Sequence, residues 1–174
     1  MCLFDSKAVN QVLTGENGLL SVNVKDKTII DLSTNHHKDV LEFHALTSKK
    51  RISYLETPVF GSVSPAIQGA VIIVCLGEKE VFTNYKTLLE KIGKEIFHLP
   101  QPSNASKMKL INNLCLGSFM STLAECTALG EACDIEKSKL LEILGVGGGQ
   151  TLIIKSKTQK LIEEDFYSIY QMFK

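Results

Sequence analysis

Two prolines, Pro100 and Pro102, separate stretches of chain that obey different periodicities, and no single class of fold accommodates both. Upstream, short apolar runs alternate with amphipathic segments. Downstream there is no proline at all, and Ser103 to Cys133 reads as one helix of roughly 45 Å at 1.5 Å per residue. The first region predicts α/β and the second all-α, with the boundary near residues 99–103. The expected division is therefore 1–101 and 102–174.

Within the first region, Ala8 to Leu13 reads as the end of a short helix closed by Gly15-Glu16-Asn17-Gly18. Thr28 to Leu32 reads as a strand, followed by Ser33 and Thr34 as expected N-caps of a helix carrying Val40, Leu41, Phe43, His44 and Leu46. Arg51 to Leu55 is a second expected strand. Val71 to Leu76 is a third, apolar throughout as a sheet covered on both faces demands. Val81, Phe82, Tyr85, Leu88, Leu89 and Ile92 recur at helical spacing, Gly93 is the expected helix stop, and Glu95 to Leu99 is a fourth strand.

In the second region Leu110 to Ala124 carries no charge and is apolar almost all round, which predicts a helix buried in a bundle or a subunit interface. Shorter helices are expected over 136–144 and 151–164. Cys115, Cys126 and Cys133 fall on one helical face, but roughly 10 Å or more apart along the axis, too far to share a metal. They are expected to be small buried hydrophobes.

Composition excludes several functions. Nineteen basic residues balance 19 acidic ones, and Arg51 is the one arginine, so no clustered positive surface for nucleic acid or an anionic membrane is expected. The uncharged stretch Thr57 to Gly77 is broken by Pro58, Gly61, Pro65 and Gly69 and does not read as a spanning helix. Met1 to Asn10 lacks the layout of a signal peptide, giving a cytoplasmic expectation. Five cysteines without a C-x-x-C pair support neither a disulfide framework nor a zinc site. His36 and His37 are expected on the solvated surface, and His44 and His98 are isolated, so no metal is expected.

Gly145 to Gly149 is glycine-rich, but it follows a helix and ends in Gln150 where a dinucleotide fingerprint needs glycine, so it reads as a helix stop and hinge. Lys109 and Asn113 are four residues apart and share a helical face continued by Gly117 and Met120. A lysine and an asparagine entering a nearly uncharged helix need partners, because unpaired polar burial costs free energy. One reading makes Lys109 the last solvated charge; the other makes the pair functional.

The order of motifs resembles the β-hydroxyacid dehydrogenases, a family including 3-hydroxyisobutyrate dehydrogenase and the glyoxylate/succinic semialdehyde reductases. Asp31-Leu32-Ser33-Thr34 is similar to the family's D-x-S-T turn on the nicotinamide side of the cofactor. Met1 to Asp5 and Gly15 to Gly18 are similar to its M-L-P-D loop and G-E-x-G turn. Glu56 to Ser62 is similar to its D-A-P-V-S-G-G substrate segment, and Ser103 to Asn113 to its G-x-G-x-x-x-K-x-x-N-N signature. Phe60 replaces the substrate-contacting serine, Phe4 the loop proline, and Ser103 and Ala105 the signature glycines.

The resemblance implies the last strands and helices of a Rossmann domain, lacking the first βαβ unit, followed by part of a 6-phosphogluconate dehydrogenase-like helical domain. It implies a middle fragment, with Asp165-Phe166 matching a D-F segment beyond which the family continues. The implied activity is NAD- or NADP-dependent interconversion of a small 3-hydroxy acid and its semialdehyde, with residues 1–174 inactive and weak in cofactor binding by themselves. Lys109 would be the general acid/base, with a pKa depressed toward roughly 7 to 8. Asn113, Phe60, Gly61 and Ser62 would bind substrate, the backbone amides near Gly61 and Ser62 taking its carboxylate. Leu3, Phe4, Ser33 and Thr34 would bind cofactor. A homodimer or homotetramer through the long helix is implied. The alternative is a non-catalytic dehydrogenase-like module acting in assembly or binding.

Overall fold

The computed structural model describes residues 1–22 and 25–165, so Phe166 of the D-F segment lies outside the described residues. The chain divides into two compact units, Met1–Asn112 and Asn113–Lys174. In the first unit the elements run α1 (Ser6–Thr14), β1 (Thr28–Asp31), α2 (His37–Lys49), β2 (Ser53–Glu56), β3 (Val59–Phe60), α3 (Val63–Ile67), β4 (Val71–Leu76), α4 (Lys79–Leu89) and β5 (Gly93–Leu99). The long helix α5 (Asn104–Ala132) begins there and runs into the second unit, which adds α6 (Lys137–Val146) and α7 (Leu152–Ile162).

β1 and β2 pair in parallel, as do β4 and β5, while β2 and β3 both run antiparallel to β4. β2 and β3 are therefore one broken strand, interrupted at Thr57-Pro58. Proline has no N–H to give a ladder, and its carbonyl instead accepts from Val74 N at 3.3 Å. Met1 N donates to Ile30 O at 2.6 Å and Leu32 N to Met1 O at 2.8 Å, so the first residues extend the sheet along the outer edge of β1.

Alternation along the strands distributes the core over both faces. Tyr54 joins Val9, Leu13, Val40 and Phe43 of α1 and α2. Its neighbour Leu55 packs with Ile73, Cys75 and Leu89 on the α4 side. Val74 and Leu76, on the Tyr54 face, meet Ala105 at the start of α5. In the second unit Leu123, Leu141 and Ile154 form a small core among α5, α6 and α7, and Lys137 bridges Glu131 at 3.1 Å and Glu164 at 3.0 Å.

Several expectations change. Helix α2 is capped not by Ser33 or Thr34 but by His36, whose ring accepts from Lys38 N. Because His36 lies outside the helix, the rule that neighbours point apart does not govern it, and its ring sits 4.5 Å from that of His37. Arg51 takes a left-handed turn (φ 57°), so β2 starts at Ser53. Gly93 opens β5 instead of stopping α4. Among the described residues the apolar flank of α5 is uncovered: Ile111, Leu114, Phe119 and Leu129 are exposed, as are Cys115 and Cys133, with Cys126 half-buried. Helical periodicity reports which residues are apolar, not whether this chain supplies their cover.

Gly93 permits the close approach of β4 and β5. A Cβ there would lie 2.7 Å from Val71 O and 2.9 Å from Ile73 Cγ1. Gly93→Ala must push backbone apart, with an expected loss of about 1–3 kcal/mol, read as a lower urea midpoint at unchanged m-value.

Candidate active site

The parallel pairing of β1 and β2 brings their carboxyl ends to one edge, the side on which ligands of open α/β sheets bind. Three chain segments meet there: Leu3-Phe4, Leu32 to Asn35, and the break Thr57-Pro58 that leads into β3.

Asp31 organises the first two. It is 1% exposed, and its carboxylate accepts from Ser33 N at 3.0 Å, from Asn35 Nδ2 at 2.7 Å and from the Tyr54 hydroxyl. Burial, and then the Asp31 carboxylate, push the Tyr54 phenol above its ordinary pKa, so Tyr54 remains a donor. The tightened turn aims Ser33 at the N-terminal segment, where its hydroxyl accepts from Leu3 N at 2.8 Å. Thr57 ties in the third segment: its N–H and hydroxyl both donate to Asp31 O, at 2.7 and 2.8 Å.

Lys109 arrives from α5. Its Nζ donates to Val59 O at 2.7 Å and stands 5.0 Å from the centre of the Phe60 ring. Burial holds its pKa below the ordinary lysine value of 10.5. A half-buried amine with a lowered pKa can exchange a proton with a bound oxygen.

Of the residues singled out from the sequence, the structure brings Leu3 to Ser33 and Lys109 to Phe60. Phe4, 73% exposed, and Thr34, also exposed, lie on the same edge without internal partners for their side chains among the described residues. Gly61 has φ 144°, and a Cβ on it would lie 3.0 Å from Val71 Cγ1; Ser62 is exposed and precedes α3. Asn113 is exposed on α5 one turn beyond Lys109, across the division between the two units. Glycine-rich 145–149 ends α6, with Gly147 as its cap, as expected of a helix stop.

Sequence reasoning missed two partners. Tyr54 belongs to the Asp31 cluster, and Glu56, 2% exposed, accepts from Ser106 N at the start of α5. A carboxylate closing an apolar strand was the available signal. Cys75 faces the interior, and burial followed by Glu56 pushes its thiol up to about 12, which leaves it unreactive near neutrality.

Residues 1–100 match the NAD binding domain of 6-phosphogluconate dehydrogenase. The chain is 30% identical over 154 residues to 2-(hydroxymethyl)glutarate dehydrogenase of Eubacterium barkeri, covering 88% of this chain and 51% of that protein. It is 29% identical over 165 residues to the mouse cytokine-like nuclear factor N-PAC, covering 95% of this chain and 30% of the relative. In fold it is similar to 3-hydroxyisobutyrate dehydrogenase of Salmonella typhimurium, with TM-score 0.85 at 22% identity, covering 95% of this chain and 57% of the other. The first region is thus a Rossmann-type unit, and the chain belongs to that family of NAD binding domains, with β-hydroxyacid dehydrogenases among its relatives. It spans about half the length of the Eubacterium relative and under a third of N-PAC.

The cofactor of this class is NAD or NADP. The residues that the resemblance assigns to it present an exposed aromatic face at Phe4, an exposed hydroxyl at Thr34 and a backbone pinned by the Ser33 hydroxyl, groups able to meet a flat ring and an amide.

Tyr54→Phe removes one of three donors to a buried carboxylate. The expected loss is about 1–3 kcal/mol in urea unfolding.

Proposed function

We propose that the protein containing this chain is an NAD(P)-dependent oxidoreductase that interconverts a small 3-hydroxy acid and its semialdehyde, with Lys109 as general acid/base. The observation that carries this reading is the Lys109 amine at the sheet edge, held by Val59 O beside Phe60, one segment away from the Leu3–Ser33 ledge. The cofactor, when bound, supplies or accepts the hydride.

Leu3, Phe4, Ser33 and Thr34 hold the nicotinamide end, with Phe4 offering an apolar face and Thr34 a hydroxyl. Backbone amides near Gly61 and Ser62 take the substrate carboxylate, a task that cannot fall to a side-chain hydroxyl at Phe60. Lys109 as free base removes the hydroxyl proton during oxidation, and as ammonium returns it to the carbonyl oxygen during reduction. Asn113, one helical turn on, holds that oxygen in line. The exposed apolar flank of α5 is covered in a homodimer or homotetramer.

A second reading, a non-catalytic module for assembly or binding, is favoured by one observation. Lys109 Nζ is already engaged by Val59 O and faces Phe60, where the motif it resembles has serine.

Lys109→Ala in the full-length protein separates the two. The enzyme reading expects kcat to fall about 10²- to 10⁴-fold while cofactor affinity measured by calorimetry persists. Near wild-type turnover would remove Lys109 from the mechanism.

The pH dependence has a definite sign. Oxidation needs the free base, so kcat/KM rises with pH and levels off above the Lys109 pKa. Reduction needs the ammonium and declines above it. Both limbs should lie below 10.5 and disappear in the alanine variant. For the assembly, sedimentation of the full-length protein should give a dimer or larger; a folded monomer would refute the covered flank.

A further inference from the structure

We propose that Glu56 is a positioning residue: from the end of β2 it caps the start of α5 and thereby sets where Lys109 stands. This rests on the catalytic reading of Lys109 given above.

The start of α5 lacks the local cap that helices ordinarily supply for themselves. Ser103 occupies the capping position, but it is buried, takes a left-handed conformation (φ 63°), and its hydroxyl has no hydrogen-bond partner. The N–H of Ser106, in the first turn, must still be satisfied, because a buried orphan donor costs free energy. Glu56, 50 residues earlier, supplies the acceptor through Oε1. Its negative charge also suits the positive end of a long helix.

Two contacts then fix α5 against the broken strand. Glu56 holds Ser106 on one side of Thr57-Pro58, and Val59 O receives Lys109 Nζ on the other, at 2.7 Å. Ala105, 0% exposed between Val74 and Leu76, leaves the first turn no room to slide. The second oxygen, Oε2, is buried and unpartnered, 3.8 Å from His44 Nε2 of α2. One carboxylate oxygen therefore does the capping. The capping bond needs an acceptor rather than a charge, so a glutamine can replace it and an alanine cannot.

The experiment is steady-state kinetics on full-length wild type, E56Q, E56A and K109A, with amide hydrogen exchange of the segment from Ser103 to Leu110. E56A is expected to lower kcat on the order of 10²-fold, the effect of misplacing a catalytic group by about 1 Å, with cofactor KM within a few-fold of wild type. Its first turn of α5 should exchange faster. E56Q should restore both turnover and protection. Wild-type kcat in E56A, or E56Q as impaired as E56A, would overturn the proposal, the latter because charge and not capping would then be at work. Should K109A keep wild-type turnover, the catalytic reading fails. The exchange data still decide whether Glu56 caps α5, since they do not depend on chemistry.

Discussion

The edge that carries the candidate site depends on one buried carboxylate. Asp31 is shut off from water, and an unpaired charge there would cost several kcal/mol, so the chain around it is bent to provide donors. Ser33 N, Asn35 and Tyr54 supply them, drawing the turn after β1 tight and linking it to β2 through Tyr54. The Asp31 carbonyl adds the connection to Thr57. A single residue thereby fixes the relative placement of two loops, and through Ser33 a third. Rigid support of this kind is what a site needs when the reacting groups come from different segments.

Glu56 repeats the arrangement at the other strand. Both parallel strands end in a buried acid, paired with each other in register, Asp31 opposite Glu56. Asp31 satisfies its charge within its own turn and a neighbouring strand, whereas Glu56 reaches the start of α5. The difference suits their positions: the first acid orders a ledge and the second anchors a helix that has no local cap.

Much of this fold was legible in the sequence because its signals are local. The run Val71 to Leu76, the helical spacing of Val81 to Leu89 and the proline-free run after Pro102 each appear as elements near their expected bounds. The misreadings share a cause, tertiary recruitment of a residue whose local preference points elsewhere. Ser33 is a good helix cap, but Leu3 N, 30 residues away, claims its hydroxyl. Gly93 reads as a stop because its use lies across the sheet, where Val71 O leaves no space for a Cβ. Of the candidate site, Lys109 was visible from the motif it resembles. Its partner Val59 O was not, since a backbone carbonyl leaves no mark in a sequence.

Lys109 itself is set by opposing effects. Burial disfavours the ammonium, while the Val59 carbonyl and the face of Phe60 both favour it. The net direction is downward, so desolvation prevails. A serine at position 60 would add a hydroxyl and admit water, weakening that desolvation. Phe60 therefore acts on the amine in one way only, through the face of its ring, and offers no hydroxyl at this point.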